Sequence, residues 1–106
     1  MLLAFDVGNT EITVGLFAGD VLRVRWRFTT ATQRTPDEWA AAVTAHLANA
    51  GHSTHEVRAA IGASVTPAVT EALAGGVAQA TGVAPVLVEA GSPLPVVLDV
   101  EASVTL

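Results

Sequence analysis

A mixed α/β layer with its elements in the order β-β-β-α-β-α-β is the fold class this sequence predicts. Three observations carry it. Apolar runs at residues 2–7, 12–17 and 22–28 succeed one another across tight turns, as in a strand meander. Two cap-plus-proline signals, Thr35-Pro36 and Thr66-Pro67, each open a stretch with apolar residues at helical spacing. A short apolar run precedes the second of these, and another follows it. A meander followed by alternating helices and strands gives a mixed sheet rather than a purely parallel one.

The first strand runs from Leu2 to Val7 and ends beside an acid, Asp6. Gly8-Asn9-Thr10 turns the chain into the second, Ile12 to Phe17, and Ala18-Gly19-Asp20 turns it again. In the third strand Leu22, Val24, Trp26 and Phe28 alternate with Arg23, Arg25 and Arg27. This period of two predicts one buried face and one solvated arginine face. Trp26 and Trp39 fit core faces better than a stacking platform.

Thr35-Pro36-Asp37-Glu38 has the form of a capping box, with Thr35 as N-cap and Glu38 three residues on. Trp39, Val43 and Leu47 then form one apolar stripe, which Gly51 ends. Val57 to Ser64 reads as a short buried strand with Arg58 near its start. The second helix carries Val69, Leu73 and Val77 and runs out at Gly82. Gly75-Gly76 lies inside it, where each glycine costs up to about 1 kcal/mol relative to alanine, so a continuous but locally soft helix is expected. Pro85 to Val88 is the fifth strand. From Gly91 the chain passes through Ser92-Pro93-Leu94-Pro95, where the prolines stiffen a connector, to Val96–Val100 and Leu106, with no stop signal.

Composition narrows the function. The 106 residues suffice for one core but are few for a complete enzyme holding two substrates, and 51% hydrophobic with 14% charged residues excludes a disordered chain. No apolar stretch reaches the roughly 20 residues of a membrane span. The absence of cysteine and of a secretory start points to the cytoplasm. A formal charge of −5, with five arginines and no lysine, argues against nucleic-acid binding and excludes a lysine-based phosphate loop. Any bound anion has to be held by backbone N–H groups, a metal ion or single arginines.

The turn after the first strand can do this. Gly8 admits a phosphate close to the backbone, turn N–H groups form an anion nest, and Asn9 and Thr10 add neutral hydrogen bonds. Asp6 suits a Mg²⁺ held partly by water and partly by nucleotide phosphates. A plain hairpin turn explains the same residues equally well when they are taken alone.

Asp6-Val7-Gly8-Asn9-Thr10 resembles the first phosphate motif of type III pantothenate kinases, and sits as near the initiator methionine as in that family. Further matches follow in order: Arg34-Thr35-x-Asp37-Glu38 is similar to the segment opening the family's first helix, and Ser64-Val65-Thr66-Pro67 to the turn into its second. The resemblance covers essentially the whole chain. It implies a ribonuclease H-like domain, one half of an actin and sugar kinase type fold, with residues 1–106 as the nucleotide phosphate-binding half. It also implies ATP-dependent phosphorylation of pantothenate, the first step of coenzyme A synthesis, in a cytoplasmic homodimer using Mg²⁺ and a monovalent cation, K⁺ or NH4⁺.

Carried over by position, Asp6 helps hold the metal, while Gly8, Asn9 and Thr10 contact the transferring phosphate. Arg34 is a candidate substrate contact, with a plain surface arginine as the alternative; Thr35, Asp37 and Glu38 are read as capping residues. The family's Gly-Ala-Asp-Arg segment, with its general base, is expected beyond Leu106, as are the second phosphate motif and the adenosine-binding segment. This predicts a fragment without kinase activity of its own, whose exposed apolar surface favours self-association. Position 11 departs from the family, since Glu11 adds a negative charge beside the loop; alternation along the second strand allows it to point away. His46, His52 and His55 do not form a convincing ligand set and are read as surface residues. A noncatalytic regulator and a stand-alone interaction domain of the same fold are the competing functions.

Overall fold

The computed structural model describes residues 1–31, 33–64 and 66–89, so the expectations for residues 92–106, including Pro93 and Pro95, lie outside it. The described chain forms β1 (Leu2–Val7), β2 (Glu11–Ala18), β3 (Val21–Thr29), α1 (Pro36–Asn49), β4 (Ala59–Ser64), α2 (Pro67–Thr81) and β5 (Val86–Glu89). They make one five-stranded sheet in the order β3-β2-β1-β4-β5. β1 pairs antiparallel with β2 and parallel with β4, so the sheet is mixed, as its sequence order requires.

Alternation builds the main core. Leu3, Phe5 and Val7 of β1, with Ile12, Val14 and Leu16 of β2, turn to the face covered by both helices and are almost completely buried. Trp39, Val43 and Leu47 of α1 and Val69, Leu73 and Val77 of α2 meet them there. A fully buried aliphatic side chain of this kind contributes about 1.5–3 kcal/mol. Both tryptophans, Trp26 and Trp39, lie in this core. Gly62 of β4 is required by it, because a Cβ there would stand 2.1 Å from the Phe5 ring.

The opposite face carries a smaller cluster, Ala4 and Phe17 with Leu2, Leu22 and Ile61 packed against them. Leu22 belongs here because the β2–β3 register shifts between Leu16 and Phe17, pairing Leu16 with Val24 but Phe17 with Leu22. The uninterrupted alternation read for the third strand therefore fails at one point: the bulge moves Leu22 to the face opposite Val24, Trp26 and Phe28. The arginine face is also only partly solvated. Arg23 and Arg27 are exposed, but Arg25 is half-buried, and its Nη1 has no partner among the described residues.

α1 starts as its sequence dictates: the Thr35 hydroxyl accepts from Glu38 N–H, and the Glu38 carboxylate accepts from Thr35 N–H at 2.9 Å. It stops at Gly51, whose φ of 82° is a left-handed conformation that costs other residues strain. Ser53 and Glu56 form a second capping box on a 3-10 turn, Thr54–Glu56. That turn delays β4 to Ala59, two residues after the expected Val57, which stays buried as the turn's C-cap. α2 passes unbroken through Gly75 and Gly76 to a left-handed Gly82.

Candidate functional site

β1 and β4 run parallel and end side by side, with Val7 opposite Ser64. Beyond those carboxyl ends lie the Gly8-Asn9-Thr10 loop and the start of α2, in the position where open α/β sheets bind ligands. The loop is closed by Gly8 N–H donating to the Glu11 carbonyl at 2.9 Å. Gly8 is not left-handed; its smallness matters because a Cβ would stand 3.0 Å from that same carbonyl oxygen.

Two threonines flank the loop. Just past β3, the Thr30 hydroxyl donates to the Gly8 carbonyl at 2.8 Å, and Thr30 N–H donates to the Thr10 carbonyl at 3.0 Å. On the other side Thr66, the residue before α2, sets its hydroxyl 3.5 Å from Asn9 Oδ1. That is a long contact, and the Thr66 hydroxyl gives α2 no side-chain cap of the kind that Thr35 gives α1. Thr66 N–H instead meets the Ser64 hydroxyl at 2.7 Å. The positive end of the α2 dipole thus lies beside Asn9.

Asn9 and Thr10 are exposed, and among the described residues their N–H groups take no protein acceptor. These are the free donors a nest needs. Asp6 reaches solvent on the sheet face opposite Phe5 and Val7, yet the atoms packed around it remove enough water to push its carboxyl above the ordinary aspartate value. Such a group gains from a neighbouring cation. Glu11 does not point away from Asp6: the register puts both on one face of the sheet, where the Glu11 carboxylate lies 3.2 Å from the Arg27 guanidinium.

Arg34 stands apart from the loop residues. Its guanidinium carbon lies 4.8 Å from the centre of the Trp39 ring and 5.9 Å from that of Phe28, within reach of a cation–π attraction, while the residue stays exposed. It remains a surface residue, and among the described residues no hydrogen bond or ion pair joins it to the loop. The histidines are scattered. His46 stacks on Trp26 at 5.5 Å, His52 Nδ1 lies 3.3 Å from Glu56, and His55 is exposed.

Asp6, Gly8, Asn9 and Thr10 are neighbours in the sequence, whereas nothing in it points to Thr30, which the fold brings to the loop. A threonine at a strand exit carries no signal of its own. Thr66 was legible only as a helix cap; that β1 and β4 end together is what brings it to Asn9.

The chain matches the sequence pattern of the type III pantothenate kinase family over residues 2–106. It is 47% identical over 70 residues to the type III pantothenate kinase of Thermomicrobium roseum, covering 66% of this chain and 27% of that protein. With the type III pantothenate kinase of Agathobacter rectalis it shares 37% identity over 91 residues, 86% of this chain and 35% of that one. The matched part thus spans about a quarter to a third of these relatives' length. Among solved structures it is similar to a ROK hexokinase from Thermus thermophilus, with a TM-score of 0.57 at 19% identity, over 83% of this chain and 34% of that one. A putative N-acetylglucosamine kinase from Porphyromonas gingivalis gives 0.59 at 19% identity, over 84% and 34%. These sugar kinase structures share the fold of this chain over about a third of their own length, in keeping with the sugar kinase type of half-fold that the family resemblance implies.

Proposed function

Since the chain belongs to the type III pantothenate kinase family, we propose that it is the nucleotide phosphate-binding domain of an enzyme transferring a phosphoryl group from ATP to the hydroxyl of pantothenate, the first step of coenzyme A synthesis. The observation that carries the reading is the Gly8-Asn9-Thr10 loop, in which the Asn9 and Thr10 N–H groups take no acceptor among the described residues and the Asn9 side chain reaches Thr66 at the start of α2. Phosphoryl transfer asks a protein mainly for positioning and charge neutralisation, and donors of this kind supply both.

In this reading the Asn9 and Thr10 N–H groups bind the transferring phosphate, and Gly8 keeps the approach open. Asp6 fits Mg²⁺: one exposed carboxylate suits an ion that keeps most of its waters and takes other oxygens from phosphate, and no cluster of three ligating side chains stands among the described residues. Mg²⁺ bound there would neutralise phosphate charge. Arg34, its guanidinium carbon 4.8 Å from the centre of the Trp39 ring, offers its N–H groups to the acceptor's carboxylate. The base that takes the acceptor's proton comes from outside residues 1–106, in a homodimer of a longer cytoplasmic protein that also uses a monovalent cation.

Titration of the ¹⁵N-labelled chain with ATP, with and without Mg²⁺, tests the reading. Amide shifts confined to residues 8–11 and strengthened by Mg²⁺ support it, and an unperturbed loop overturns it. Given ATP, Mg²⁺ and pantothenate, the chain alone should form no phosphopantothenate.

A further inference from the structure

We infer that Thr30 is a positioning residue for the phosphate loop, acting by fixing the orientation of the Gly8–Asn9 peptide; the inference rests on the proposed function of that loop. Thr30 lies outside the loop's own motif, 22 positions along the chain from Gly8. Its two bonds are of ordinary length, 2.8 Å from hydroxyl to the Gly8 carbonyl and 3.0 Å from N–H to the Thr10 carbonyl. Together they take hold of the loop at both ends.

The geometric consequence follows from peptide planarity. All peptide bonds of the described chain are trans, so the carbonyl of one residue and the N–H of the next point in opposite directions. With the Gly8 carbonyl drawn to Thr30, the Asn9 N–H points away from β3. Without that bond the peptide between Gly8 and exposed Asn9 has little else to hold it: Gly8 N–H is tied to Glu11, but among the described residues the Thr30 hydroxyl and the long contact of the Asn9 side chain with Thr66 are the hydrogen bonds that oppose rotation about Gly8 ψ and Asn9 φ. A flipped peptide would present a carbonyl oxygen to a phosphate. Repulsion would then replace a charge-assisted hydrogen bond.

The hydroxyl and the backbone bond are separable. Thr30→Val keeps the shape, the β-branching and the N–H bond to Thr10 but deletes the donor to Gly8, whereas Thr30→Ser keeps the donor and loses only a methyl group. Two readouts are needed on the ¹⁵N-labelled chain. The residual dipolar coupling of the Asn9 N–H reports the peptide's orientation without any ligand. The Kd for Mg²⁺-ATP, read from the Asn9 and Thr10 amide shifts, reports its use.

Thr30→Val should change the Asn9 coupling and weaken Mg²⁺-ATP by about tenfold, the scale of one hydrogen bond to a charged group. Thr30→Ser should restore both, and the urea midpoints of all three proteins should stay close. A Thr30→Val chain with the wild-type coupling and Kd overturns the inference. If both variants weaken binding alike with unchanged couplings, Thr30 is only a structural residue, and the inference is again overturned. If the wild-type amides ignore Mg²⁺-ATP, the phosphate reading fails, while the couplings still decide whether Thr30 orients the peptide.

Discussion

Gly76 of α2 lies against Trp39 of α1 where the helices cross: a Cβ on Gly76 would stand 2.5 Å from Trp39 Cβ, 2.8 Å from Ala40 N and 2.8 Å from the Pro36 carbonyl. The opposing atoms are largely backbone, which cannot step aside. Gly76→Ala therefore forces the helices apart and should destabilise the chain by about 1–3 kcal/mol, even though alanine is the better helix former. Gly75, whose Cβ would come 3.3 Å from the Pro36 ring, should tolerate alanine far better. Urea unfolding of the two variants checks the contrast, and equal losses would contradict it.

That crossing shows where sequence reading reached and where it stopped. The glycine pair was visible as a local cost within a helix, but the partner that makes Gly76 necessary is in another element, 37 positions away at Trp39. The start of α1 was legible in full because a capping box is written within four residues. The β2–β3 bulge was not, because register is a property of two strands, and no residue near Leu22 announces the shift. At the candidate site Asp6 to Thr10 could be read as one motif. Thr30, and the aromatic seat under Arg34, could not.

Glu11 and Arg27 form a half-exposed pair, with side chains 47% and 41% accessible, so their bond adds little stability, about 0–1 kcal/mol. Its effect should appear in anion binding instead. Arg27→Gln leaves Glu11 unneutralised beside the loop and should weaken Mg²⁺-ATP by about two- to fivefold at low salt, less at high salt. Adding Glu11→Gln to that variant should recover the loss. A double variant no better than Arg27→Gln alone would show that Arg27 acts in some other way.

Glu38 titrates below the ordinary glutamate value because the N–H and hydroxyl of Thr35 favour its charged form. A carboxylate whose folded value is depressed stabilises above its unfolded value, and that contribution fades as pH falls through the folded value. Thr35→Ala should raise the Glu38 value towards normal in an NMR titration and cost about 1 kcal/mol at neutral pH from the lost cap. Because alanine keeps the N–H that donates to Glu38, a titration unmoved by the substitution would mean that the hydroxyl has no part in the shift and the backbone bond alone carries it.

Asp6 presents the opposite sign. Desolvation raises its folded value, so below the ordinary aspartate value both folded and unfolded chains hold the proton and no penalty exists. As pH rises from there through the raised value, the unfolded chain ionises first, and stability is lost; above it the full penalty remains. Asp6→Asn cannot ionise, so it should match the wild type in acid and become more stable than it towards neutral pH. Millimolar Mg²⁺ should lower the Asp6 value, seen by ¹³C NMR of its carboxyl, and narrow the gap between the two proteins. It should leave Asp6→Asn itself unchanged. A carboxyl that titrates at or below the ordinary value, and ignores Mg²⁺ with ATP present, would remove Asp6 from the metal site and leave the loop to bind phosphate by its N–H groups alone.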